Sequence, residues 1–250
     1  MIASLPMYAT PLTAGADARF WGLVRDALRA QGHVAPDSLT LAPPDLMAHW
    51  RDPALVLSQT CGLPFRAMLK DDVQLVGTPD FGIEGCPPGY YRSVVIARQD
   101  DARDALADYR LARFAYNDPM SQSGWAALAL EAPEVLQGPR LCTGSHRASA
   151  LAVRQGDADF ATVDAVTFRH LLTASEATGL KIIHGTQATP GLPYITAESG
   201  PADALFTAIS QAIAALSKAD RTALHLKALI AIPPSAYDLP LPPAPDAIGR

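Results

Sequence analysis

The chain has 250 residues, a formal net charge of −5, 49% apolar residues and 18% charged ones. That length fits one large domain or two modest ones, and so low a charge fraction goes with much buried surface. Lys and Arg never gather into a basic run, which argues against a nucleic-acid partner, and no apolar run reaches the roughly 18–20 residues of a membrane span.

Short apolar stretches alternate with helical ones almost throughout. Residues 2–8 read as a first strand. Residues 17–31 read as a helix with Phe20, Val24 and Leu28 on one face and Gly32 as its stop. Strands are expected at 54–60, 73–78 and 93–98, a helical segment at 101–108, a strand at 113–117 and a helix at 124–131. The second half repeats the pattern: strand 141–143, helix 147–155 closed by Gly156, strand 159–163, helix 165–172 and strand 181–184. Helices at 202–216 and 220–229 follow. Such alternation predicts parallel or mixed sheets covered by helices. Six prolines between residues 233 and 245 make the tail an extended strap or a loose end, because Pro continues neither a helix nor a central strand.

The N-terminus has no basic segment followed by a long apolar one, so it does not read as a signal peptide. The cysteines are Cys61, Cys86 and Cys142, with no CxxC pair, so a zinc knuckle is unsupported. A Cys61–Cys86 disulfide and free thiols both remain open. Walker, GxGxxG, GxSxG and HExxH patterns are absent. No cofactor and no metal are expected.

The most informative segment is Asn117-Asp118-Pro119-Met120-Ser121-Gln122-Ser123-Gly124-Trp125, between a strand and a helix. Ser121 or Ser123 would cap the helix, and hydroxyls beside unpaired helix N–H groups make a ready anion site. Gly124 would let an oxyanion approach the backbone closely. The bland alternative is an ordinary cap that meets only water. Thr143-Gly144-Ser145-His146 is a second strand-to-helix turn, where His146 is either a donor to an anion or a capping residue. Asp164 stands at the carboxyl end of a strand, where ligand crevices open; ligand contact and helix capping are equally good readings of it. Ser58-Gln59-Thr60-Cys61-Gly62 is a third such turn. Cys61 as a nucleophile would need an adjacent base, and none is visible. Tyr8 and the Tyr90-Tyr91 pair complete the candidates, since tyrosines offer apolar contact and a hydroxyl.

In this order and spacing, Ser121-Gln122-Ser123-Gly124, Gly144-Ser145-His146 and Gly156-Asp157-Ala158-Asp159 through Asp164 resemble the periplasmic phosphate/phosphonate/phosphite substrate-binding proteins of ABC transporters. The resemblance spans residues 1 to about 230. It implies a two-lobed type II periplasmic-binding fold of the α/β class, each lobe a mixed, mostly parallel sheet flanked by helices. Lobe one would hold residues 1–88 and 188–250 and lobe two residues 89–187, with hinges near 88–91 and 185–189 and a ligand cleft between the lobes. It also implies Ser121, Gln122, Ser123, His146 and Asp164 as ligand residues with Tyr8 and Tyr91 as aromatic contacts; the turn donors Gln59 and Thr60 and the close-approach Gly124 join this set from the residues themselves. Gln122 departs from the family, where Thr is common. The implied function is binding of phosphate, phosphonate or a related small oxyanion, without catalysis, by a monomer that delivers to a membrane permease. The implied compartment is the periplasm, with the cytoplasm as the alternative for a chain without a visible leader. A non-transport anion sensor and an enzyme of the same fold are the competing readings.

Overall fold

The alternation resolves into twelve strands and eight α-helices in the computed structural model, which describes residues 1–248. The chain begins with β1 (Ile2–Ala3), α1 (Ala14–Ala30), α2 (Leu46–Trp50), β2 (Leu55–Gln59), α3 (Gly62–Pro64), β3 (Val73–Asp80) and β4 (Tyr90–Tyr91). It continues through β5 (Ser93–Arg98), β6 (Phe114–Tyr116), α4 (Ala127–Glu131), β7 (Arg140–Cys142), α5 (His146–Gln155), β8 (Phe160–Asp164), α6 (Ala165–Thr173) and β9 (Leu180–Gly185). Last come β10 (Thr189–Pro190), β11 (Tyr194–Ala197), α7 (Ala202–Ala215), α8 (Lys218–Leu224) and β12 (Ala228–Ile230). No described helix is long and apolar enough to cross a membrane.

Two compact units result. Unit 1 takes Met1–Tyr90 and Pro190–Asp238; unit 2 takes Tyr91–Thr189 and the tail from Leu239. The tail was expected with lobe one, and the structure corrects this. Trp125 Nε1 donates to the Pro243 carbonyl at 2.8 Å, Arg140 donates to the Ile248 carbonyl at 3.0 Å, and Ile248 is buried in the unit 2 core. The tail is a strap, held by the backbone carbonyls that an extended Pro-rich segment leaves unpaired.

Unit 1 is a five-stranded sheet in the order β1-β2-β11-β3-β12. β1 runs parallel to β2, whereas β11 is antiparallel to both β2 and β3, and β12 is antiparallel to β3. Antiparallel neighbours therefore predominate here, because β11, the strand that returns to the unit, slots in backwards between two parallel ones. Helix α1 buries Phe20, Val24 and Leu28, four residues apart on one stripe, together with Ala16 and Trp21, and packs against α7.

Unit 2 is a five-stranded sheet in the order β7-β6-β8-β5-β9. β6 is parallel to β7 and to β8, and β5 is antiparallel to β8 and to β9. Side chains alternate between its two faces, as a pleat requires. Val95, Ala97, Phe114, Tyr116 and Phe160 join Trp125, Leu128 and Ile248 on one face. Val94, Ile96, Ala115, Ala161 and Val163 join Ala150, Val153, Phe168 and Leu171 on the other.

Several elements differ from expectation. The first strand stops at Ala3, although Ser4 N–H still donates to the Leu57 carbonyl at 2.9 Å; Pro6 has no N–H to extend the ladder. Residues 101–108 form a loop ending in a 3₁₀ turn at Leu106–Tyr109, pinned by Arg103, which pairs with Asp101 at 2.7 Å and Asp159 at 2.9 Å. The helix read at 220–229 ends at Leu224, because His225 adopts a left-handed conformation (φ 52°). The chain then returns as β12. Cys61, Cys86 and Cys142 are not joined by disulfides in the structure, so the Cys61–Cys86 pairing is not made there.

Candidate functional site

In unit 2 the strand order creates a switch point. The connection after β6 leads through α4 to β7 on one side, and the connection after β8 leads through α6 to β9 on the other. In open α/β sheets, ligands bind at the carboxyl ends of the strands where the direction of winding reverses. The ends of β6 and β8 are that place here, and the sequence puts Ser121–Gly124 after one and Asp164 at the other.

Ser121 is the helix cap. Its backbone is extended and its Oγ accepts the Gly124 N–H at 2.9 Å, so its own hydroxyl proton is free to donate elsewhere. The helix opens with a wide turn over Gln122–Ala126, in which Ala126 N–H reaches the Ser121 carbonyl five residues back at 3.0 Å. Such π-turns cluster at functional sites. Two side chains from the sheet brace this turn. Ser93 Oγ donates to the Ser123 carbonyl at 2.9 Å, and Thr162 Oγ1 donates to the Gly124 carbonyl at 3.2 Å. Neither brace was foreseen, because each is visible only once β5 and β8 are paired.

Ser123 Oγ lies 2.9 Å from His146 Nε2. His146 opens α5 behind the Ser145 cap, whose Oγ accepts the Ala148 N–H at 3.1 Å. Burial pushes the imidazole down to about 4, with the Thr162 carbonyl offsetting this only in part. The ring is therefore neutral at pH 7 and carries one proton. Either Nε2 donates to Ser123 and the serine proton is free, or Ser123 donates to Nε2.

Asp164 caps α6: its Oδ1 accepts the Val166 N–H at 2.8 Å and the Thr167 N–H at 3.0 Å. The open choice at this residue thus falls on the capping side for that oxygen. Gln122 and Tyr91 are buried in unit 2. Ser121, Ser123, Gly124 and His146 come together there, with Asp164 at the neighbouring strand end.

Tyr8, Gln59 and Thr60 belong to unit 1. Gln59 Nε2 donates to the Leu192 carbonyl at 3.2 Å, and Thr60 N–H donates to the Pro193 carbonyl at 3.1 Å. Both residues therefore staple β2 to the segment that enters β11. Tyr8 packs edge-on to Phe81 with ring centres 5.0 Å apart. Behind β1 and β2 runs a buried polar chain that sequence reasoning missed. Ser4 Oγ meets His49 Nε2 at 2.8 Å and Ser58 Oγ at 2.8 Å, and Trp50 Nε1 donates to Ser58 at 3.2 Å.

Two α/β units, each a mixed five-stranded sheet whose helices start at the strand ends, define a type II periplasmic-binding fold. Solved structures agree in fold. One is a binding-protein component of an ABC phosphonate transporter from Pseudomonas aeruginosa, with 18% identity, a TM-score of 0.69, and coverage of 95% of this chain and 82% of that one. Another is PhnD1 from Prochlorococcus marinus in complex with methylphosphonate, with 14% identity, a TM-score of 0.69, and coverage of 95% and 94%. A third is the periplasmic aliphatic sulphonate binding protein SsuA from Escherichia coli, with 14% identity, a TM-score of 0.58, and coverage of 94% and 88%. A comparison with curated proteins finds no match. The family model for the ABC transporter, phosphonate, periplasmic substrate-binding protein matches residues 57–232. The chain belongs to that family.

Proposed function

We propose that this protein binds a small tetrahedral oxyanion of the phosphate or phosphonate class at the helix start after β6, and hands it to a membrane permease from the periplasm. The observation that carries the reading is the Ser123–His146 contact at 2.9 Å beside the Ser121 cap. In the tautomer in which His146 Nε2–H donates to Ser123, the hydroxyl protons of Ser121 and Ser123 are both available to an anion. The helix dipole and first-turn amides add to these donors. Neutral donors suffice for local recognition, so a net charge of −5 is no obstacle. Tyr8, Gln59, Thr60, Tyr91, Gln122 and Asp164 are proposed as supporting residues.

The same geometry argues for binding without catalysis. A serine beside a histidine suggests a nucleophile and its base, but a base is most effective with a pKa near the working pH. His146, held down to about 4, is a poor proton acceptor at neutrality. His146 Nδ1 is buried with no hydrogen-bond partner, so no carboxylate orients the imidazole as the third member of a triad would.

The test is a set of thermal shifts with phosphate, phosphite, methylphosphonate, 2-aminoethylphosphonate, sulfate and a sulfonate. A ligand that binds only the folded state raises the melting temperature. A shift with a phosphorus oxyanion supports the reading and names the ligand class. A shift with the sulfonate alone replaces the class, and no shift with any of them refutes the reading.

A further inference from the structure

We propose that Asn117 is a positioning residue of the anion site: it ties together the loops that carry Ser123 and His146, and it lays its carboxamide on the first turn of the helix. The proposal rests on the anion reading above. Asn117 directly follows β6, and its carbonyl accepts the Gly144 N–H at 2.9 Å. One residue earlier, the Tyr116 carbonyl accepts the Thr143 N–H at 2.9 Å and the Thr143 hydroxyl at 3.2 Å. The parallel pairing of β6 with β7 ends at Tyr116 and Cys142. These bonds carry it onward into both loops, so the spacing between the two helix starts is fixed. That spacing brings Ser123 to His146.

The side chain supplies the second part. Asn117 Oδ1 is buried and has no hydrogen-bond partner. A Cβ placed on Gly124 would collide with Oδ1 and lie 3.2 Å from Ser121 Oγ. The carboxamide therefore rests against the Gly124 backbone beside the cap, in the space a side chain at residue 124 would need. A buried amide oxygen without a donor is costly and calls for a reason. A half-turn about the Cβ–Cγ bond exchanges oxygen and nitrogen without changing shape. The half-turn exchanges the orphan acceptor for an N–H donor beside the first turn, and an oxyanion bound at that turn would be its partner.

The experiment is titration calorimetry of methylphosphonate and of inorganic phosphate into the unaltered protein, Asn117→Asp, Asn117→Ala and Ser123→Ala, from about pH 5 to about pH 8, above the range in which a free carboxylate titrates. His146 is neutral through most of this range. Asn117→Asp keeps the shape and replaces the donor with a charge. Relative to the unaltered protein it binds about tenfold more weakly at the upper pH, as a like charge close to the anion requires. The introduced carboxylate takes the place of a buried oxygen, and burial raises its pKa into this range, so the gap narrows as pH falls. Asn117→Ala binds several-fold more weakly at every pH. Asn117→Asp losing nothing, or losing equally at both ends of the range, overturns the proposal. If Ser123→Ala meanwhile loses affinity, the anion reading stands without it. Absence of binding by the unaltered protein overturns both. Should Asn117→Asp fail to fold, unchanged affinity in Asn117→Ala overturns the role of Asn117.

Discussion

Ser123 and His146 are 23 residues apart in sequence and start different helices, yet their side chains meet at 2.9 Å. The contact exists because β6 and β7 are parallel neighbours whose helices both begin at the same edge of the sheet. Burial keeps the histidine neutral, so it meets the serine through a hydrogen bond between neutral groups. It does not supply charge.

That burial has a consequence for stability. The folded state holds His146 at about 4, below the 6.5 of an exposed histidine. Between those values the unfolded chain binds more protons, so stability falls as pH drops below about 6.5 and the loss is complete below about 4. Urea midpoints across this range should decline in the unaltered protein and decline less in His146→Gln. Parallel curves would show that His146 is not the group responsible.

Asp17 behaves in the opposite sense. It lies in the first turn of α1 with Oδ2 buried and without a partner, and burial pushes its carboxyl up to about 6 despite a bond from Thr13. The folded state therefore binds the proton more tightly than the unfolded one. The stability linked to that proton is full below about 3.8 and is lost as pH rises through about 6. Asp17→Asn should melt higher than the unaltered protein at about pH 8 and show a much smaller difference at about pH 4. An equal difference at both would remove Asp17 as the cause.

Gly124 has little room to change. Gly124→Ala would drive its methyl group into Asn117 Oδ1, and overpacking of this kind costs about 1–3 kcal/mol. Because the obstacle is a single side chain, Asn117→Ala in the same protein should recover part of the loss in a double-mutant cycle. Strict additivity would place the obstacle elsewhere.

The C-terminal strap is structural. Deleting everything after Asp238 removes Ile248 from the unit 2 core and the Pro243 carbonyl from Trp125. Losing a buried apolar side chain and a hydrogen bond together costs about 2–4 kcal/mol. The truncated protein should melt at lower temperature and show red-shifted Trp125 fluorescence. An unchanged melting curve would mean that the strap adds nothing.

The sequence exposes local features and hides those made by pairing. Strands β2, β3, β5 and β8 and helix α1 were legible, because apolar period and turn residues mark them directly. β11 was not: its four residues are all buried and it follows Gly191-Leu192-Pro193, which reads as loop. β12 reads as the end of a helix because Leu224, Leu226 and Leu229 continue an apolar pattern that only the backbone at His225 interrupts. At the site, Ser121 and Gly124 announce a helix start by themselves. His146 stands out as part of a strand-to-helix turn, with capping and anion contact both open until the resemblance is added, and the parts played by Ser93, Thr162 and Asn117 come from strand neighbours that no local pattern encodes.

The most direct measurement is calorimetric titration of methylphosphonate into the unaltered protein and into Ser123→Ala side by side. Binding by the unaltered protein, weakened by about 1–3 kcal/mol when the hydroxyl is removed, is the expected result. Equal affinity in the two proteins would contradict the assignment of Ser123 and, with it, the anion site after β6.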